Sequence, residues 1–214
     1  VPAPTIANPA ATREMARMDT AKAICAELAS LVFGDAVEIN VSRKGWTAET
    51  PDPLGEFVAN VLKENAFSTK MQEHCEQALA LGGGALKVWY EPKRGADKKP
   101  MPGEGCVRIG FAMADQFVPT AWDNARVTDG VFISRVAKNG YYYTRLEWHK
   151  WDGETYVISN ELFKADMDKG RTQDTPQDIL GFRTPLAEIY PMLAENVTFE
   201  GLEQSLFSYY RTPI

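Results

Sequence analysis

Between Thr12 and Phe33 apolar residues recur at three- and four-residue steps. Met15, Met18, Ile24, Leu28 and Leu31 mark one face of an expected helix, which Gly34 and Asp35 end. Val37, Ile39 and Val41 then alternate with Glu38 and Asn40, the period of a half-buried strand. Asp52-Pro53 is a helix-start signal, because the carboxylate accepts from free first-turn N–H groups while proline sits where no N–H is needed. Leu54, Phe57, Val58, Val61 and Leu62 share one face of that helix, and Asn65 is its stop. A third helix is expected from about Ser68 to Leu81, with Met71, Cys75, Ala78 and Leu79 inward. Gly82, Gly83 and Gly84 release the chain from it and let the helix end close against a sheet.

From Ala85 to Glu91 the chain reads as a strand, and beyond it the period changes to two. Val107, Ile109 and Phe111 alternate in one strand; Val131 to Lys138 and Tyr141 to Trp151 form two more across Asn139-Gly140, the strongest short hairpin signal. Asp152-Gly153 makes a second tight turn before Tyr156, Val157 and Ile158, which completes an antiparallel meander. Lys164 to Pro185 is polar and reads as a long loop, while Leu186 to Leu193 and Phe199 to Tyr210 hold short apolar clusters of no assigned structure. Helices first and strands later define an α+β fold, N-terminal helices packed on an antiparallel, meander-rich sheet. The expected organisation is one domain over residues 1–214, helical over about 12–81, mainly β over about 85–163 and mixed over 186–214.

Apolar residues make up 44% and charged residues 24%, the balance of a globular chain and not of a disordered one. No stretch approaches the roughly 18 consecutive apolar residues of a membrane span. Cys25, Cys75 and Cys106 are odd in number and widely spaced, which argues against a disulfide framework or a metal knuckle and for buried apolar filler in a reducing compartment. The chain opens on Val1, with neither a basic start nor an apolar core in its first residues, so it is expected to be a piece of a longer protein. Its net charge of -6 is unevenly placed: residues 1–150 carry 18 Lys plus Arg against 18 Asp plus Glu, and residues 151–214 carry 5 against 11. Gripping DNA by phosphate neutralisation calls for a basic surface, which this balance does not supply.

Candidate chemistry is sparse. His74 sits in the third helix beside Cys75, but adjacent helical residues point in different directions, so it reads as a solvent-facing histidine. His149 shares a strand face with Arg145 and Glu147, which reads as the wet side of a sheet; a Glu147–His149 acid–base pair is the sharper alternative, with no nucleophile elbow to serve it. The run Leu81 to Lys87 has glycines and a lysine but lacks the spacing of a phosphate loop, and a helix precedes it where a strand would be required. Lys93, Arg94, Lys98 and Lys99 form a small basic cluster that could touch nucleic acid or an acidic partner. With Glu91, Asp97 and Glu104 interspersed they read as a solvated hairpin tip. Tyr141, Tyr142, Tyr143, Trp148 and Trp151 could stack bases, but consecutive strand residues face opposite sides, so most are expected in core or cross-strand packing. No cofactor, metal or catalytic residue is assigned.

The order of these segments resembles the portal family of tailed phages and prophages over nearly the whole chain. The resemblance lies in the helix Met15 to Phe33 with Val37-Glu38-Ile39, the passage Gln77 to Lys87, and Ala114 to Thr120 with Trp122-Asp123. It continues in Tyr143 to Glu147 with His149 and Trp151, in Tyr156 to Asn160, and in Leu206 to Pro213. What it implies is a non-catalytic subunit of a ring, usually of twelve copies, at one vertex of the virion capsid, assembled in the bacterial host cytoplasm. Its implied partners are its own copies, terminase, capsid or scaffold, and head-completion proteins, with double-stranded DNA passing along the axis unread. The resemblance further implies that this chain is the wing region, with the helical stem and clip after Ile214. Two other classes stay open: a stand-alone α+β protein-binding module, and a hydrolase built on Glu147 or Asp115.

Overall fold

A computed structural model describes residues 20–33, 39, 41, 52–96, 100–167 and 180–212. Three helices come first: α1 (Thr20–Phe33), α2 (Pro53–Glu64) and α3 (Phe67–Leu81). Helix α2 begins as its sequence dictates, with the Asp52 carboxylate accepting from Leu54 N–H at 3.0 Å and Pro53 in the first turn. The strands are β1 (Gly83–Arg94), β2 (Pro100–Met113), β3 (Phe117–Asp123), β4 (Arg126–Lys138), β5 (Tyr141–Asp152), β6 (Thr155–Asp166), β7 (Phe182–Thr184), β8 (Asn196–Phe199) and β9 (Phe207–Arg211).

Every pairing among these strands is antiparallel, and they divide into two sheets. One is three-stranded in the order β2-β1-β9; the other runs β3-β4-β5-β6-β7, with β8 also on β6. The meander is present as expected: Asn139 and Gly140 turn at φ 51° and 79°, Gly153 turns at φ 61°, and β5 pairs with β6 from Tyr141↔Asp166 to Asp152↔Thr155. The chain crosses from the first sheet to the second through a 3₁₀ turn at Ala114–Gln116 and returns through residues 200–206 into β9.

Where the sheets meet, a core forms from Ala85, Ala112, Phe117, Val127, Phe132 and Phe207, with Tyr209 packed against it. Phe117 lies 5.1 Å from Phe207 and 4.7 Å from Phe132 between ring centroids, so one aromatic ties β9 to both β3 and β4. A second cluster covers the far end of the meander: Tyr143, Leu162 and Leu186, with Ile189 and Tyr190 against them. Helices α3 and α2 pack on the first sheet, and α1 packs on α3. There His74 is buried between Phe111 and Tyr210, and its ring lies so close to Gly84 that a Cβ at that position would come within 2.6 Å of Nε2. Only glycine accepts that approach.

Several expectations are corrected. In α1 the stripe Ile24, Leu28 and Leu31 faces outward, Leu31 being 75% exposed, while the small Ala29 is the buried position against the rest of the fold. Met15, Met18 and Val37 lie outside the described residues, and Ile39 and Val41 belong to no helix or strand. The segment Lys164 to Pro185 is not all loop, since β6 continues to Asp166 and Phe182–Thr184 adds a short strand to it. Ala114 to Thr120 is a turn followed by an edge strand, and the unassigned C-terminal segments hold a 3₁₀ turn at Leu186–Glu188 and strands β8 and β9.

Candidate functional site

Strand alternation puts Arg145, Glu147 and His149 on one face of β5, but that face is not wet. The first sheet covers it, and His149 is 1% exposed. His74, read as solvent-facing, is 3% exposed for the same kind of reason, a sheet closing over a helix. Burial lowers the His74 pKa, so its ring is neutral near pH 7.

The covering strand brings Lys87 onto Glu147. Lys87 Nζ lies 2.7 and 2.8 Å from the two carboxylate oxygens, Arg145 Nη2 lies 2.7 Å from Oε2, and His149 Nε2 lies 2.9 Å from Oε1. Burial pushes the Glu147 carboxyl upward, but the His149 hydrogen bond and then the Lys87 and Arg145 charges outweigh it and hold the group at about 2. Lys87 is drawn below its ordinary value by burial, against the pull of Glu147, and its ammonium rests 4.8 Å above the Phe132 ring. Behind His149, Nδ1 meets the Tyr156 hydroxyl at 2.8 Å, and that hydroxyl accepts from Leu206 N–H at 3.2 Å. Burial raises the Tyr156 pKa, so it stays a phenol.

This arrangement can hold but cannot turn over. A general base needs a carboxylate that takes a proton near pH 7, whereas both Glu147 oxygens are saturated by cations and protonate far below that. Asp115 stands exposed on the inter-sheet turn. Among the described residues no group of three or more His, Cys, Asp or Glu is placed to hold a metal ion.

The basic cluster is only partly described. Lys93 Nζ is 2.8 Å from Glu104 across the β1–β2 hairpin; Arg94 ends β1; Lys98 and Lys99 lie outside the described residues. Both strands of this hairpin run further into its tip than their alternation predicts. Of the aromatics, Tyr143 is buried and donates to Glu188 at 2.6 Å, Trp148 donates to Glu161 at 2.9 Å and Trp151 to Ser205 at 2.9 Å, which are packing roles. The three cysteines are free and half-buried. A shallow groove of about 610 Å³ lies between β3, β5 and the 201–205 segment, lined by Asp123, Arg126, Trp151, Glu154 and Glu203 among others.

The fold defines an α+β protein in which buried ionisable groups join two sheets and apolar helix surface is left outward. The family comparison agrees: residues 6–203 match the family described as phage portal protein, SPP1 Gp6-like, and the chain belongs to that family, one of structural proteins of the phage head-to-tail connector. No curated protein matches the chain. Among the described residues no helix is long and apolar enough to cross a membrane.

Proposed function

We propose that this chain is the wing region of a portal ring subunit at the capsid vertex, folding as one α+β unit over residues 1–214 and contributing shape and contact surface. The observation that carries this reading is the family match over residues 6–203. In it, copies of the protein surround a passage for double-stranded DNA during packaging and ejection, and terminase, capsid or scaffold, and head-completion proteins dock on the ring after assembly in the host cytoplasm.

Two physical features support it. The chain carries no excess of cations, as suits a subunit that surrounds DNA without gripping it by phosphate neutralisation. Ile24, Leu28, Leu31 and Val32 of α1 and Leu54 and Phe57 of α2 are exposed in the single chain, the kind of apolar surface that assembly removes from water. A heterologous, head-to-tail contact closes rings of this type. Electron microscopy of the full-length protein is the direct test: a pierced oligomer is expected, and a protein that stays monomeric at micromolar concentration would sink the ring. Residues 1–214 alone are expected to be monomeric or weakly associated, and sedimentation showing a stable dodecamer would contradict that. A stand-alone protein-binding module is the second reading, since the exposed stripe of α1 would serve it equally; a monomeric full-length protein that captures a virion component would favour it.

A further inference from the structure

The bonds around Glu147 close on themselves. Lys87 reaches Glu147, Glu147 meets His149, His149 meets Tyr156, Tyr156 accepts from Leu206 N–H, and Leu206 C=O accepts from Val88 N–H at 2.9 Å, one peptide bond from Lys87. The circuit touches β1, β5 and β6 and ends on the residue before β9. A carboxylate only accepts, so His149 Nε2 carries the hydrogen given to Glu147, and the Tyr156 hydroxyl that meets Nδ1 takes one from Leu206 N–H.

At its leading end strand β9 is seated by this circuit, beside the Phe207 core contacts; at its far end Thr212 donates to Gly82 C=O and Ala78 C=O. Strand β9 is an edge strand, paired to β1 over five residues from Gly83↔Arg211 to Lys87↔Phe207. Strands β4, β5 and β6 are held by longer ladders and do not need it. Ser205 adds to the same anchorage, accepting from Trp151 Nε1 and donating to Thr128 C=O at 2.7 Å.

We propose that the circuit is a latch: β9 and its leading segment detach from β1 as one unit when any member is broken, and the inter-sheet contact of Lys87 with Glu147 is thereby coupled to the position of the C-terminal strand. This device belongs to the chain itself and stands whether or not the ring reading holds.

The test is amide hydrogen exchange on residues 1–214, followed residue by residue by NMR. Tyr156→Phe keeps the ring and removes only the hydroxyl; Lys87→Met breaks the circuit at its opposite side. Both are expected to speed exchange of the amides from Leu206 to Thr212 by at least about tenfold more than they speed that of the β4–β5 amides. A rise shared equally by both sheets is global destabilisation and overturns the latch, as does an effect confined to Tyr156→Phe, which would reduce it to one local bond. Should a variant not fold, the unmodified chain decides. Under increasing denaturant residues 206–212 should open together before β4–β6, and opening in step with β4–β6 refutes the proposal.

Discussion

Asn65 pairs with Ile109 as though it were a strand residue. Its Oδ1 accepts from Ile109 N–H at 3.0 Å, and its Nδ2 donates to Val107 C=O at 2.8 Å and to Val61 C=O at 2.8 Å. The bend between α2 and α3 thereby closes the outer edge of β2, which would otherwise present unpaired backbone groups.

Replacing Asn65 with alanine removes these bonds and leaves the half-buried Ile109 N–H and Val107 C=O without that partner. Each such group costs about 1–3 kcal/mol, so Asn65→Ala is expected to destabilise by about 2–4 kcal/mol, read from the midpoint of urea unfolding. Asn65→Asp retains the acceptor for Ile109 and loses both donations; an Asp variant as stable as the parent would show that the donations contribute nothing.

Glu147 is shared by two cations, so its removal is worse than removal of either one. Glu147→Leu leaves Lys87 and Arg145 without their shared carboxylate, and a broken buried pair of this kind costs about 3–5 kcal/mol. Lys87→Met leaves Glu147 bonded to Arg145 and His149 and is expected to cost about 1.5–3 kcal/mol. Calorimetry of both variants should preserve that order; equal losses would mean that Arg145 does not share the charge.

Stability should also fall in acid. The Glu147 carboxyl is held at about 2, below its ordinary 4.5, so its contribution is fully present above pH 4.5 and is lost as pH falls through 2. The size of that contribution is about 3 kcal/mol. Chemical denaturation at pH 6, 4 and 2.5 should show the decline in the parent and a much flatter profile in Glu147→Leu.

The exposed stripe of α1 makes a separable demand on assembly. Leu31→Lys is expected to change the unfolding midpoint by less than about 0.5 kcal/mol, because the side chain is already in water. The same change in the full-length protein should weaken ring formation, measured by sedimentation velocity. Unimpaired rings would remove α1 from the subunit contact.

What was legible in the sequence follows from how local the cause is. Asp52-Pro53 starts α2 and Asn139-Gly140 turns the meander because the determining atoms lie within a few residues. The short strands β7, β8 and β9 are made by partners far along the chain; Phe182–Thr184 is a strand only because β6 runs beside it. His149 and Glu147 misled for a clearer reason. Alternation tells which residues share a face but not what covers it, and a charged face that pairs with a lysine from another sheet looks the same in sequence as one that meets solvent. The hint was Lys87 itself, the lone charge in the run Gly83 to Val88 that leads out of α3. The stripe of α1 misled in the opposite sense, since periodicity marks an apolar face whether it meets this chain or another one.

The return of the chain from the second sheet into β9 sets the order in which the molecule can be completed. The β1–β2 hairpin leaves the ribosome early, yet its third strand and the Phe207 ring that seals the sheet-to-sheet core arrive only after the entire meander has been made. Until then Ala85, Phe117 and Phe132 lack that cover, and this inter-sheet core closes through a pairing between distant stretches, the slow kind of closure. A nascent subunit is therefore expected to leave this core incomplete until β9 emerges.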